Sequence, residues 1–424
     1  MLLFSNKNND IKLANAVHYA AQTSNKDSFF TYVNKGSTGK YNGYFIREPF
    51  FKKLYEYNTL EQRYIYIYHL NYSKKEIEFL IYHLYELRKA TFKYYFLDEN
   101  CATQTADLVQ IISGYKRKEK LYYLPIDVLK QYKNNIIKEE RFIPLINKIN
   151  LLNDKMTLEE KKLFNNIINT NNDVNESYPD IVKEALVDYS TFRFRRFHRW
   201  NKNYNNIMNQ TYIKQDIIDK SKEPLEKTQS TNIGFGIIKE NNDKNLFLYY
   251  RPLFINLDDL QFNNLQQSEV DVMSFYLYLN KNTLKLENLT LLSLKSFSNQ
   301  SYYYKPSSWS LYSGLNKYNK DYKLKFNNEF GIGRSVNYFN INSSFLFYLG
   351  LDNIDIYLKP YININKEFTN HLKIGYTMQY KKYIKGNYIN RTIYSTIKYN
   401  NILYKLKFDN ENIHKINFSI NFNF

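Results

Sequence analysis

The chemistry of this chain gathers at Asp98-Glu99-Asn100-Cys101, where the only cysteine in 424 residues follows an acidic turn. The aromatic run Tyr94-Tyr95-Phe96-Leu97 reads as a strand that ends at this turn. Ala102 to Val109 then reads as a helix with Asn100 as its N-cap, which puts Cys101 in the first helical turn. Free backbone N–H groups and the helix dipole favour a thiolate there. A lone cysteine so placed is a candidate nucleophile, with Glu99 and Asn100 as its supporting neighbours. The competing reading is a small side chain buried under the preceding strand.

The surrounding elements have to position that sulfur. Residues 1 to 22 read as two short strands around the polar turn Asn6 to Asp10, the second closed by Val17-His18-Tyr19-Ala20-Ala21. Gly36, Gly39 and Gly43 permit tight turns or close backbone approach. They do not follow a strand in a G-x-G-x-x-G pattern, which argues against a nucleotide loop. Tyr64 to Leu70 reads as a strand. Ser73 opens a helix with Glu76 completing a capping box, and Ile77, Leu80, Ile81, Leu84 and Leu87 recur at helical spacing on one apolar face. His83 lies beside that face. It faces Cys101 if the chain reverses at about residues 88 to 93; otherwise it is an ordinary surface or core histidine.

Residues 115 to 220 read as helical and polar, with one helix over Glu159 to Thr170 and another opened by Pro179. The latter runs into Phe192-Arg193-Phe194-Arg195-Arg196-Phe197-His198-Arg199-Trp200. Interleaved arginine and aromatic side chains can grip phosphates and stack on bases. They equally suit a helix that covers other elements while its arginines snorkel to water. Residues 221 to 230 read as a linker.

Beyond it the period changes from helical to two. Leu372, Ile374, Tyr376, Met378 and Tyr380 alternate with Lys373, Gly375, Thr377 and Gln379. Ile402, Tyr404, Leu406 and Phe408 alternate with Lys405 and Lys407, and Phe345, Phe347 and Leu349 follow the same rule. Roughly 10 to 12 strands of about nine to eleven residues fit between 231 and 424, the length of transmembrane β-barrel strands. A soluble antiparallel barrel shares the alternation. The terminal Phe424 and the 43 tyrosines and 30 phenylalanines favour the membrane, where aromatic girdles are expected. The fold class is α+β in three parts: 1–130, a helical connection over 131–220, and a C-terminal antiparallel β-barrel over 231–424.

The net charge of +18 invites nucleic acid, anionic lipid or an acidic polymer as partner. The basic residues are spread along the chain and no nucleic-acid motif accompanies them, so no nucleic-acid partner is expected. One cysteine excludes an internal disulfide. No stretch reaches the roughly 18 apolar residues of a membrane helix. Met1-Leu2-Leu3-Phe4 is too short an apolar region for a signal peptide. No cofactor and no metal are expected.

The first 130 residues resemble the Lnb N-terminal periplasmic domain family. The residues that carry the resemblance are Tyr19-Ala20-Ala21, Lys35-Gly36 to Gly43-Tyr44-Phe45, Pro49-Phe50, Glu56-Tyr57-Asn58, Glu61-Gln62-Arg63, Leu70-Asn71, His83 to Leu87 and Asp98 to Cys101. Arg251-Pro252, Leu257-Asp258 and Pro306 to Trp309 resemble the β-rich region that accompanies it. Members include bacterial lipoprotein N-acyltransferases. The resemblance implies a permuted papain-type thiol fold, a periplasmic and outer-membrane location, and a lipoprotein or phospholipid substrate. It makes Cys101 the nucleophile and His18 the orienting group or a substitute base, and it matches His83 to a recurring helix histidine. The family's usual base lies in a Phe-Gly-His motif just ahead of the strand that begins here at Leu2. The expectation is therefore that Met1 is an internal methionine, with a signal peptide and that histidine encoded upstream. A barrel with a non-catalytic periplasmic binding or assembly domain is the alternative.

Overall fold

A computed structural model describes residues 1–6, 10–24, 26–96, 98–115, 125–170, 175–199, 204–219, 224–226, 230–240, 243–260, 266–280, 283–317, 324–353, 355–383, 386–410 and 414–423. Leu97, Lys7 to Asn9 of the first turn, Trp200, most of the 221–230 linker and Phe424 lie outside these residues. The chain divides into two compact units: Met1–Glu119 with Val128–Lys220, and Lys120–Asp127 with Ser221–Phe424.

The first unit begins with strand β1 (Leu2–Phe4) and strand β2 (Asn15–Ala21), the pair expected. Helix α1 (Phe29–Ser37) and strand β3 (Tyr41–Pro49) follow, then helix α2 (Phe50–Lys53), a π-helical turn (Leu54–Leu60) and strand β4 (Ile65–Leu70). Helix α3 (Lys74–Leu87) starts where expected, with both arms of the Ser73–Glu76 capping box formed. After it come strand β5 (Phe92–Tyr94), helix α4 (Cys101–Ser113), helix α5 (Pro125–Gln131) and strand β6 (Ile136–Phe142). Four helices close the unit: α6 (Leu145–Lys155), α7 (Leu158–Thr170), α8 (Asp180–Phe197) and α9 (Tyr204–Met208).

An antiparallel sheet runs β1-β2-β3-β5, and β4 pairs with β6. Ala14, Ala16, Phe50, Ile65 and Ile67 form a core that Leu3, Leu54 and Phe142 extend. The sequence places the strand before Cys101 at Tyr94 to Leu97; the strand that forms is Phe92–Tyr94, and Phe96 leaves the ladder to bond the Gly36 carbonyl (3.0 Å). The middle region is helical, with β6 as an insertion that alternating hydrophobicity does not mark. On α3 only Leu80 is buried, while Ile77 and Ile81 are exposed. On α8 the covering role holds: Phe192 is buried, the Arg195 carbonyl accepts from Tyr55 Oη (3.2 Å), and Arg196 donates to the Leu60 carbonyl.

The second unit is a closed antiparallel barrel. Its strands are β7 (Asn232–Glu240), β8 (Asp243–Arg251), β9 (Leu253–Ile255), β10 (Gln266–Asn280), β11 (Thr283–Gln300), β12 (Ser308–Lys317), β13 (Leu324–Tyr338), β14 (Ile341–Asp352), β15 (Asp355–Thr369), β16 (Leu372–Tyr383), β17 (Gly386–Tyr399), β18 (Ile402–Asn410) and β19 (His414–Asn423). Neighbours in sequence pair as hairpins, β19 pairs with β7, and β10 pairs with both β8 and β11, which closes 12 strands. Short β9 continues the line of β8 along β10.

The alternation is inside out relative to a soluble barrel. On β14 the exposed positions are Phe345, Phe347, Leu349 and Leu351, while Asn342, Ser344, Tyr348 and Asp352 are buried. On β15 Ile356, Leu358 and Ile364 face out, while Tyr357, Lys359, Asn363 and Asn365 face in. Lys373 is 0% exposed and its neighbour Ile374 is 41% exposed. An apolar exterior around a polar interior fits a lipid surround and contradicts a water surround. Among the described residues no helix is long and apolar enough to cross a membrane; the strands do so.

The lumen holds a segment of the chain. Residues 256–260, after β9, fold into it. Leu257 packs on Phe297, Leu346 and Tyr348. Asp258 pairs with Lys407, Asp259 pairs with Lys405 (2.5 Å), and Lys373 Nζ donates to the Asp259 carbonyl (3.0 Å). Farther along, Glu329 pairs with Lys359 and with Lys381 (3.4 Å), and accepts from Tyr357 Oη.

The lipid-facing assignment can be tested with Phe347→Arg, at the middle of β14. Near a bilayer midplane it costs about 2–4 kcal/mol, which lowers the urea midpoint of barrel unfolding in vesicles. A change within experimental error would refute the assignment.

Candidate functional site

Cys101 opens α4, as its spacing predicts. The Asn100 side chain accepts from the backbone N–H of Ala102 (2.9 Å) and Thr103 (3.2 Å). Thr103 Oγ1 returns the favour by accepting from Asn100 N–H (2.9 Å). This capping box is worth about 1 kcal/mol and fixes the angle at which the helix starts. The Glu99 carboxylate accepts from Gln104, and the Glu99 carbonyl accepts from the Tyr95 amide (3.2 Å). Cys101 itself is free and exposed, so the buried-packing reading fails.

An aromatic bed holds the turn before it. Tyr19 on β2 stacks on Tyr94 at 5.5 Å and on Phe45 at 5.1 Å, and Tyr32 meets Phe96 at 4.8 Å. Two glycines make room. Gly43 leaves the space that the Tyr19 ring occupies, and Gly39, at φ 68°, turns the chain under Tyr95. This is the close approach expected of those glycines.

Tyr94, the last residue of β5, lies near the thiol. Burial pushes the Tyr94 phenol up, and the charge of Cys101 adds to it. Tyr57, in the π-helical turn, is raised mainly by burial and also feels Cys101. Tyr19 is pushed up to about 12, by burial first and then by Glu99.

His18 sits in a separate polar cluster on β2 and β3. Its Nε2 lies 3.5 Å from Glu48, which also pairs with Lys53 (3.3 Å); Lys53 in turn bonds Glu56 (2.7 Å). His18 Nδ1 is buried and has no hydrogen-bond partner among the described residues. Its pKa is lowered, by burial first and then by Lys53, with Glu48 opposing. His83 is not part of either cluster. It lies on α3 with its ring 3.6 Å from Glu86, one turn on in the same helix. Sequence reasoning missed Tyr94 and Tyr57 as neighbours of the thiol, and Glu48 and Lys53 as neighbours of His18. Tyr94 depends on where β5 stops, and the others needed the strand register. Among the described residues no group of three or more His, Cys, Asp or Glu side chains could hold a metal ion.

Residues 1–135 match the family model described as the Lnb N-terminal periplasmic domain. They form an Lnb domain. Residues 221–423 match a second model, a domain of unknown function numbered 7840. No curated protein matches the chain. Among solved structures the barrel is similar to the KdgM porin, at 11% identity and a TM-score of 0.31 over 46% of this chain and 99% of that one. It is similar to an outer membrane channel from Pseudomonas putida F1, at 10% identity and a TM-score of 0.29 over 50% and 100%. LpxR from Salmonella typhimurium gives 10% identity and a TM-score of 0.27 over 46% and 100%. The membrane assignment stands on the apolar exterior of the strands themselves. With the Lnb domain, it makes this an outer-membrane β-barrel protein with a periplasmic N-terminal domain.

His18 yields a pH prediction. Its folded pKa lies below the unfolded value of 6.5, so the unfolded chain binds more protons. Stability is then fully present above pH 6.5 and is lost as pH falls through the folded pKa. His18→Gln should flatten that loss in urea titrations of the Lnb domain; an unchanged slope would show that another group carries it.

Proposed function

We propose that the barrel anchors the chain in the outer membrane without serving as an open pore, and that the Lnb domain is the working part, a periplasmic binding or assembly module. The observation that carries this reading is the segment inserted in the lumen: residues 257–259 pack on Phe297, Leu346 and Tyr348 and are tied to Lys405 and Lys407 on β18. A conducting barrel keeps a water-filled channel. A lipoprotein or phospholipid is the partner proposed for the Lnb domain, since it works beside a membrane. Purified full-length protein in planar lipid bilayers should show no steady conductance, whereas Asp258→Lys with Asp259→Lys should release the segment and open one. A steady wild-type current would overturn the anchor reading.

One observation favours a second reading, a thiol acyltransferase or hydrolase. Cys101 is exposed at a capped helix start, next to backbone N–H groups able to hold an oxyanion. Its thiolate would attack an ester or amide carbonyl and form a thioester. The alcohol or amine would leave with a proton, and a second amine or water would resolve the thioester. His18 is the candidate base and Tyr94 the thiol's neighbour; the permuted thiol-enzyme fold belongs to this reading. Against it, His18 is engaged by Glu48. Cys101→Ala tests it. Loss of acyl transfer from a phospholipid donor to a lipopeptide supports an enzyme, and transfer that survives the change rules Cys101 out as nucleophile.

A further inference from the structure

The barrel wall is irregular at one place. β8 ends at Arg251 and β9 begins at Leu253, with Pro252 between them unable to donate to a ladder. Opposite this break, on β10, the ladder to β11 skips Met273, whose φ of 55° is strained for a side chain of its kind. The irregularity brings Arg251, Asp271 and Ser274 to one cavity of about 170 Å³, which Tyr249, Tyr276 and Thr290 also line.

The two charged groups there differ from most of those in the rest of the lumen. Elsewhere among the described residues several inward charges are paired: Lys295 with Glu269 (2.8 Å), Lys373 with Glu367 (3.2 Å), Lys405 with Asp259 (2.5 Å), Glu329 with Lys359 and Lys381; Asp352 instead accepts from Tyr383 Oη. The Arg251 guanidinium instead lies over two rings, Tyr249 at 4.4 Å and Phe254 at 4.1 Å. Asp271 Oδ1 is buried with no hydrogen-bond partner among the described residues. Arg251 and Asp271 thus line one cavity without an ion pair between them, with Asp271 Oδ1 buried behind the cavity wall. Unpaired buried charge is costly, and five guanidinium N–H donors call for acceptors. Water can fill such a space, but rings held against a guanidinium favour a ligand with carbon atoms to cover.

We propose that this cavity binds a small carboxylate that carries a hydroxyl or ammonium group. Arg251 takes the carboxylate through a charge-assisted fork, Asp271 accepts from the ligand's donor, and the Tyr249 and Tyr276 rings cover its carbon atoms. Both hydroxy acids and amino acids have this chemistry, and the probes separate them. The site is independent of whether the Lnb domain is an enzyme.

The test is calorimetry on the full chain in detergent micelles, with glycolate, free glycine and acetate as probes. Glycolate or glycine should bind about tenfold more tightly than acetate, and whichever binds identifies the donor as hydroxyl or ammonium. Arg251→Gln should abolish binding. Asp271→Asn, nearly isosteric and with no unpaired anion to bury, should keep the barrel folded and bring the preferred probe to within roughly threefold of acetate. No heat from any probe, equal heats from all three, or a preference untouched by Asp271→Asn would overturn the proposal and leave a water-filled space.

Discussion

A carboxylate held between two ammonium groups inside a wall of hydrocarbon sets the terms for the larger part of this molecule. Glu329 bonds Lys359, Lys381 and Tyr357 Oη, and Asn327 shares the same tyrosine hydroxyl at 2.8 Å. Around the outside of these strands stand Phe330, Ile332, Phe347 and Leu358, all exposed. Lipid offers no hydrogen bonds, so every polar group on these strands has to be satisfied by the ladder or from within. The two-residue period then dictates which side chains meet inside. Slipping one strand by a single residue would carry Lys359 into lipid and Leu358 into the charge cluster. Pairing inside and hydrocarbon outside therefore fix register together.

The Lnb domain is organised by a different economy of space. Its sheet carries aromatic rings laid on glycines, and those rings carry the turn from Tyr95 to Asn100. Asn100 converts that turn into a helix start, and the sulfur is presented to solvent as a consequence. The thiol and His18 belong to separate polar clusters. The helix start is thus well determined, whereas the imidazole is committed to Glu48.

What could be read directly from the residues was local. The Asn100 cap, the Ser73–Glu76 box and the Pro179 helix start depend on neighbours three or four positions away, and all formed as read. The barrel strands were legible because lipid and lumen impose a strict alternation, as at Ile374 and Lys373. The rest depends on chain reversal. Nothing near Arg141 marks β6 as the partner of β4, since the pairing is set by residues some seventy positions earlier. His83 was read as facing Cys101 if the chain reverses at about residues 88 to 93; its ring lies instead beside Glu86 on its own helix. The place of Tyr94 near the thiol arises from where the strand stops, which propensity does not specify.

The segment at residues 256–260 carries an implication for assembly. Its acidic side chains are matched by lysines on β18, nearly 150 positions later in the chain. Hairpins from β11 to β17 can form by zipping against sequence neighbours, each closing a short loop at small entropic expense. Asp258 and Asp259 have no such local option and stay unmatched until β18 arrives. The same arrival brings β19 to β7, which seals the circle. Filling and closure are thereby one late event, so a barrel stalled before its last hairpin would expose an open seam and two uncompensated carboxylates at once.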